Sequence, residues 1–214
     1  MPRRSAADAA RTRSAILERS VAVASVEGLE GLTLGRLATD LQMSKAGVLG
    51  HFGTKEELQL AALAAAREVY RREVWERAKA AAPGRARLLA IGDAWLSYLA
   101  RDVFPGGCFV TAASCEFDDR PGRVREALAA LHAEWMGVLA REARTAIADG
   151  DLPRSTDPDD VAFGMNAIAM GVNQARHLLG DAAAPERGWR AMRTLLHAPR
   201  ARRRFTTAPV PAKA

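Results

Sequence analysis

The chain has 214 residues, 49% apolar and 26% charged, ordinary proportions for a folded globular protein and incompatible with a largely disordered one. Alanine is abundant, Val and Ile are sparse, and no β-branched run alternates with polar residues, so the composition predicts an all-α protein of one or two domains. The net charge of +6 comes mostly from the C-terminus: residues 1–57 carry eight basic and seven acidic groups, residues 58–198 eighteen of each, and residues 199–214 five basic and no acidic ones.

Gly, Pro and Asp punctuate the sequence into about nine helical segments, with no internal repeat. An N-terminal arm holds Arg3, Arg4, Arg11 and Arg13 against Asp8. In the first helix Ile16, Leu17, Ser20, Val21 and Ala24 make one apolar stripe, and Gly28 is placed to end it. Thr33 can cap a short second helix carrying Leu34, Leu37, Ala38 and Leu41, and Ser44 a third running to about His51. Thr54 and Glu57 have capping-box spacing at the start of a long fourth helix that is expected to continue to Pro83 and Gly84. A fifth, with Leu88, Ile91, Trp95 and Leu99, stops at Phe104 to Gly107. The sixth covers Cys108 to about Phe117, and the seventh follows the Asp118 to Gly122 turn and closes at Gly150 and Pro153. The eighth has Asp157 as cap, Pro158 at the first helical position, and Asp159 and Asp160 at the positive end of the dipole, and it ends near Gly180. The ninth runs from about Pro185 to His197, and the Arg-, Pro- and Ala-rich tail after Pro199 is expected to be disordered.

Two cysteines make no disulfide framework, and with neither a secretory signal nor an apolar run of membrane length a cytoplasmic location is expected. Cys108 and Cys115 are seven residues apart, about 10 Å along a helix, too far to bridge, and are expected to be two small buried residues.

Function concentrates in residues 33–52, TLGRLATDLQMSKAGVLGHF: two short capped helices joined by a tight turn at Gln42 and Met43. Leu37, Ala38, Leu41, Met43, Val48 and Phe52 are the apolar positions, with Ala38 small where the helices must approach. This is helix-turn-helix geometry, in which the second helix enters the major groove and its N-terminal N–H groups face phosphate.

From Ile16 to Leu58 the chain resembles the N-terminal domain of the tetracycline-repressor (TetR) family. The resemblance rests on Ile16 and Leu17, Gly28, Thr33, Leu37 and Ala38, Ser44 and Lys45, and the closing run His51, Phe52, Gly53, Thr54, Lys55, Glu56, Glu57 and Leu58. It implies phosphate contacts at Thr33 and Lys55, a base or backbone contact from Lys45, and a backbone contact at His51. Four departures stand out: Gly47, Leu49 and Gly50 replace the frequent Thr, Tyr and bulky polar residue of the recognition helix, and Ala24 replaces a frequent aromatic in helix one. Two glycines cost roughly 1 kcal/mol each relative to alanine. DNA reading is therefore expected to lean on Ser44, Lys45, backbone approach at Ala46 and Gly47, the apolar Leu49, and DNA shape. Residues 33–57 hold three basic and three acidic groups, so a modest affinity shared with the arginine arm is expected.

The resemblance also implies a C-terminal helical-bundle domain that dimerises through its last two helices and holds a small-molecule effector. The expected organisation is an arm and helix-turn-helix domain at 1–57, a ligand-binding and dimerisation domain at 58–198, and a basic tail at 199–214. Gly164, Ala167, Gly171 and Ala175 put small residues three or four apart, which suits close helix packing at an interface that Trp189, Met192 and Leu196 can complete. Candidate pocket residues are Trp95, Tyr98, Phe109, Phe117, Trp135, Met165 and Met170, with Asn166, Asn173 and His177 as polar anchors spaced i, i+7 and i+11. Met136 and His132 are further candidates.

The partners implied are double-stranded DNA, a second copy of the chain and an unidentified small molecule, with no membrane. No cofactor, metal or catalytic group is expected, because the four histidines are scattered, no Gly-rich phosphate loop follows a strand, and the acidic runs at Asp118 and Asp157 have structural explanations as turn and cap. The expected function is therefore a ligand-responsive dimeric repressor on a palindromic operator. The rivals are a non-specific architectural DNA binder using Arg200 to Arg204, and an all-α interaction module.

Overall fold

Nine helices and no strand run through residues 6–197, the part of the chain that the computed structural model describes. They are α1 (Ala6–Gly31), α2 (Leu34–Asp40), α3 (Lys45–Phe52), α4 (Lys55–Tyr70), α5 (Arg85–Ala100), α6 (Phe109–Phe117), α7 (Arg123–Ala148), α8 (Pro158–Leu179) and α9 (Ala184–Leu195). Helix α4 continues as a rod through a π-helical turn, Arg71–Trp75, into Glu76–Ala78, and so stops short of Pro83.

Most boundaries have a local cause. Thr33, Ser44 and Thr54 each cap a helix, accepting from the backbone N–H of Arg36 (3.1 Å), Gly47 (3.0 Å) and Glu57 (3.1 Å). Asp157 accepts from Asp159 N at 2.9 Å with Pro158 next to it, and Gly180 closes α8 in the left-handed conformation.

Gly28 breaks α1 at φ 78°, ψ 168°, as its position predicted, but the chain then makes one more turn. That turn is held from a distance. Leu29 N and Glu30 N donate to the two carboxylate oxygens of Glu116 on α6, at 2.7 and 2.9 Å. Glycine is required at 28 because φ is positive and a Cβ there would stand 2.7 Å from the Glu116 carboxylate.

Helices α1 to α3 enclose Ile16, Leu29, Leu32, Leu37 and Val48, all fully buried, and α4 adds Leu58 and Ala62 from the other side. Helix α1 packs on both α4 and α6, α7 pairs with α8, α8 with α9, and α5 lies against α7, α8 and α9 around Leu88, Ile91, Leu139 and Met165. At roughly 1.5–3 kcal/mol per buried aliphatic side chain, this apolar core dominates the fold's stability. The α5–α6 connection touches α1 backbone to backbone, since a Cβ on Gly106 would overlap the Ser25 carbonyl.

Two features of the body differ from expectation. Met192 and Leu196 are 2% and 0% exposed and turn into the chain's own core, Met192 lying over Gly92 of α5. Cys108 is buried at the start of α6, but Cys115 sits on the outer face of that helix and is exposed, because one face of a nine-residue helix covers the core while the other meets solvent. No helix of the described residues is long and apolar enough to cross a membrane.

Candidate functional site

Helix α3 buries Val48 and Phe52 and leaves Lys45, Ala46, Leu49 and Gly50 on its outer face, with Gly47 and His51 partly covered. Leu49 is 40% exposed, an unusual placement for a large aliphatic side chain on so short a helix. The Lys45 stem lies against Gly35 of α2, whose Cβ would meet Lys45 Cε at 3.2 Å. A Cβ on Gly50 would meet nothing within 4 Å, so no intramolecular packing demands glycine there.

The charges around this face are largely committed, which the sequence did not disclose. Arg36 donates to Asp40 (2.9 Å) and to Glu27 (2.6 Å), and Arg19 also reaches Asp40 (2.8 Å). Hydrogen bonds from Arg19, and then from Arg36, hold the Asp40 carboxyl below its usual range. Lys55 Nζ donates to the Glu30 carbonyl (2.9 Å) and to a Glu30 carboxylate oxygen (3.0 Å), while Gln59 Nε2 donates to the other oxygen (3.2 Å). Lys55, followed by Gln59, lowers the Glu30 pKa. Of the three basic side chains in residues 33–57, Lys45 alone has no ion-pair partner among the described residues.

Arg11 and Arg13 belong to α1, which begins at Ala6, rather than to a free arm. Arg11 pairs with Asp8, and the Arg13 guanidinium lies 4.8 Å from the centre of the Phe52 ring at the end of α3. Arg3, Arg4 and the tail from 198 onward lie outside the described residues.

The second element of the site is a cavity of about 690 Å³ between α4, α6, α7 and α8. Trp95, Phe117, Trp135, Asn166 and Met170 line it, as does His132. Tyr98, Phe109, Met165, Asn173 and His177 do not. Tyr98, Phe109 and Met165 are at most 2% exposed within the core. The Asn173 side-chain oxygen accepts from Cys108 N at 2.8 Å, capping α6, and His177 Nε2 faces Asp102 at 3.7 Å. These two polar residues fasten the α5–α6 connection to α8. Met136 packs against the core and is also absent from the cavity wall.

One whole wall went unforeseen. Arg67, Tyr70, Arg71 and Trp75 reach the cavity from α4, the last two from its π-helical turn. Such turns recur at functional sites. Tyr70 stacks edge-on against Trp95, Tyr98 and Trp135 with ring centres 5.1–5.8 Å apart. Its hydroxyl and the indole N–H groups of Trp95 and Trp135 are buried without a hydrogen-bond partner among the described residues. Burial pushes the pKa values of Tyr70 and Tyr98 up.

The third element is the outer face of α8. Phe163, Ala167, Met170, Gly171 and Leu178 are exposed along it, Phe163 by 68% and Leu178 by 72%. Gly164 and Ala175 flank this stripe partly covered, and Gly171 and Ala175 also line a shallow groove shared with Gly188 and Ala191 of α9. Trp189 is partly covered, with Arg193 stacked on its ring at 4.5 Å.

Comparison with known proteins decides what this arrangement belongs to. Residues 16–62 match the family described as bacterial regulatory proteins, tetR family, and residues 84–192, half of the chain, match the tetracyclin repressor-like C-terminal domain. The chain belongs to the TetR family of DNA-binding transcription regulators. Among solved structures, this TetR-family protein is similar to a TetR regulator from Chloroflexus aurantiacus, with 26% identity, 88% of this chain and 95% of that one covered, and a TM-score of 0.81. A TetR-family regulator from Cytophaga hutchinsonii shares the fold at 23% identity, with 90% and 96% covered and a TM-score of 0.76. AibR, solved in complex with isovaleryl coenzyme A and operator DNA, shares it at 22% identity, with 87% and 98% covered and a TM-score of 0.69. No curated protein matches the chain.

Proposed function

We propose that this TetR-family regulator is a homodimeric, non-enzymatic, cytoplasmic repressor that holds a palindromic operator and is released by a small-molecule effector bound in the 690 Å³ cavity. The observation that carries the reading is the latch formed by Glu116. It belongs to α6, which contributes Phe117 to the cavity wall, and its carboxylate grips the Leu29–Glu30 turn, whose Glu30 in turn holds Lys55 at the start of α4. A ligand that displaces α6 thereby acts on the DNA-binding face through three named contacts. AibR, bound to both an acyl coenzyme A and its operator, supports an effector site in this fold.

In this reading α3 enters the major groove, Lys45 contacts phosphate or a base edge, and Ala46 and Leu49 meet thymine methyl groups. Thr33 and Ser44 supply hydroxyl contacts and His51 an imidazole contact to the phosphates beside them, Gly47 lets the backbone approach closely, and Lys55 joins them once it leaves Glu30. The head then comprises residues 1–57 and the effector and dimer domain residues 58–198. The exposed apolar stripe of α8, with Gly164, Ala167, Gly171, Ala175 and Trp189 around it, forms the self-complementary interface that a two-fold operator requires. Sedimentation of the protein tests the assembly: wild type is expected as a dimer and a Phe163→Glu, Leu178→Glu double variant as a folded monomer with much weakened operator binding. A monomeric wild type, or a dimeric variant, would contradict it. The rival architectural binder is distinguished by truncation after residue 197, which on the present reading leaves sequence preference intact.

A further inference from the structure

The proposed effector site has a chemistry of its own, and the inference that follows rests on reading the cavity as that site. Its lining on α7 runs from Arg125 through Leu128, His132, Trp135 and Val138 to Arg141. The sixteen residue steps from Arg125 to Arg141 span about 24 Å of helix, so the cleft is elongated along four turns of α7 rather than round. The walls between its ends are aromatic and aliphatic, with three of the four tryptophans, Trp75, Trp95 and Trp135, among them.

Charge decides the rest. Four arginines line the cleft against two acids, Asp118 and Glu134. Arg67 Nη2 donates to both carboxylate oxygens of Glu134 at 2.7 and 2.8 Å, Arg71 is held by Glu68 and Glu76, and Arg125 donates Nε to the Asp118 carbonyl at 3.0 Å. Arg141 is the one lining arginine whose guanidinium has no acceptor among the described residues. It stands at the same end of the cleft as Trp75, because Arg123 pairs with Glu56 and Glu57 and, eleven residues on in α7, Glu134 pairs with Arg67, so α4 and α7 run side by side in the same direction.

We propose that the cleft binds an elongated organic anion, its apolar body along the tryptophans and its acidic group on Arg141. A planar guanidinium with free N–H donors suits a carboxylate, which it can hold by two parallel hydrogen bonds. The apolar walls set the length dependence: each methylene buried adds about 0.8 kcal/mol, or three- to fourfold in affinity.

The test uses tryptophan fluorescence of the full chain without DNA, titrated with decanoate, decanol and decyltrimethylammonium below their micellar concentrations. Decanoate is expected to bind about tenfold tighter than decanol, with the cation weakest, and affinity is expected to rise from hexanoate through octanoate to decanoate. R141Q is expected to bring decanoate within about threefold of decanol, while R125Q keeps the preference and W189F keeps the signal. Equal binding of decanol, tighter binding of the cation, no binding of decanoate, or a preference lost in R125Q and kept in R141Q would each overturn the proposal. Operator release is measured separately. Decanoate that binds with the expected preference but leaves the operator complex intact supports the anion chemistry and refutes the effector reading, so the two failures are distinct.

Discussion

Replacing Glu116 by alanine should destabilise the protein by about 2–4 kcal/mol, a large effect for a partly exposed side chain. The carboxylate accepts from Leu29 N at 2.7 Å and Glu30 N at 2.9 Å, both hydrogen bonds to a charged group, typically worth about 1.5–3 kcal/mol each. The two positions do not lose equally. Glu30 is exposed, so water replaces the carboxylate at its N–H, whereas Leu29 is fully buried and its N–H is left without an acceptor, a cost of about 1–3 kcal/mol. E116Q, which keeps one carbonyl oxygen, should lose about half as much. Urea unfolding at neutral pH reads both, with exposed Cys115→Ser on the same helix as a control expected within about 0.5 kcal/mol of wild type. Because the latch ties α6 to the Glu30–Lys55 pair, E116A should also reduce the factor by which an effector weakens operator binding. An E116A protein as stable as wild type would refute the latch.

Three further outcomes follow. Lys55→Gln should flatten the salt dependence of operator binding by nearly one unit per site in log Kd against log salt, because Lys55 leaves Glu30 for a phosphate in the complex; an unchanged slope would show that Lys55 makes no phosphate contact. Gly50→Ala should stabilise the free protein by about 0.5–1 kcal/mol, since its Cβ meets nothing within 4 Å, while weakening operator binding if the α3 backbone must lie against DNA; loss of stability in a thermal melt would contradict the first half. Tyr70 and Tyr98 have raised pKa values in the folded protein, so the unfolded chain releases their protons first, and stability present below the ordinary pKa of 10 falls as pH rises past it. The loss is about 1.4 kcal/mol per pH unit for each tyrosine, and Tyr98→Phe should halve the slope measured by urea unfolding between pH 9 and 11.

Local chemistry made much of the fold legible. Thr33, Ser44, Thr54, Asp157 and Gly180 each sit where their side chain or backbone preference ends or begins a helix, and the structure uses each in that role. What escaped is non-local. Nothing near Lys55 in sequence marks Glu30, 25 residues away, as its partner, and nothing near Leu29 marks Glu116, 87 residues away. Asn173 and His177 share a helix face, as ligand anchors would, but a polar residue on an apolar helix serves equally well as a clamp on a neighbouring loop, and here Asn173 caps α6. Met192 and Leu196 have the apolar character of either an interface or a core, and only the packing of α9 on α5 and α8, with Met192 over Gly92 and Gly188 against Leu96 and Val172, assigns them to the core. Arg71 and Trp75 in the α4 wall of the cavity are not legible from a regular helical wheel, because they lie on a π-helical turn that shifts which side chains face inward.

The central claim, a two-fold reader of specific DNA, is tested most directly by selecting bound duplexes from a random pool with the purified full chain and sequencing them. The proposed function predicts an inverted repeat whose half-sites lie about 34 Å apart centre to centre, abolished together with dimerisation by the Phe163→Glu, Leu178→Glu variant. A pool that returns no enriched sequence, or an enriched single half-site bound equally by that variant, would contradict it.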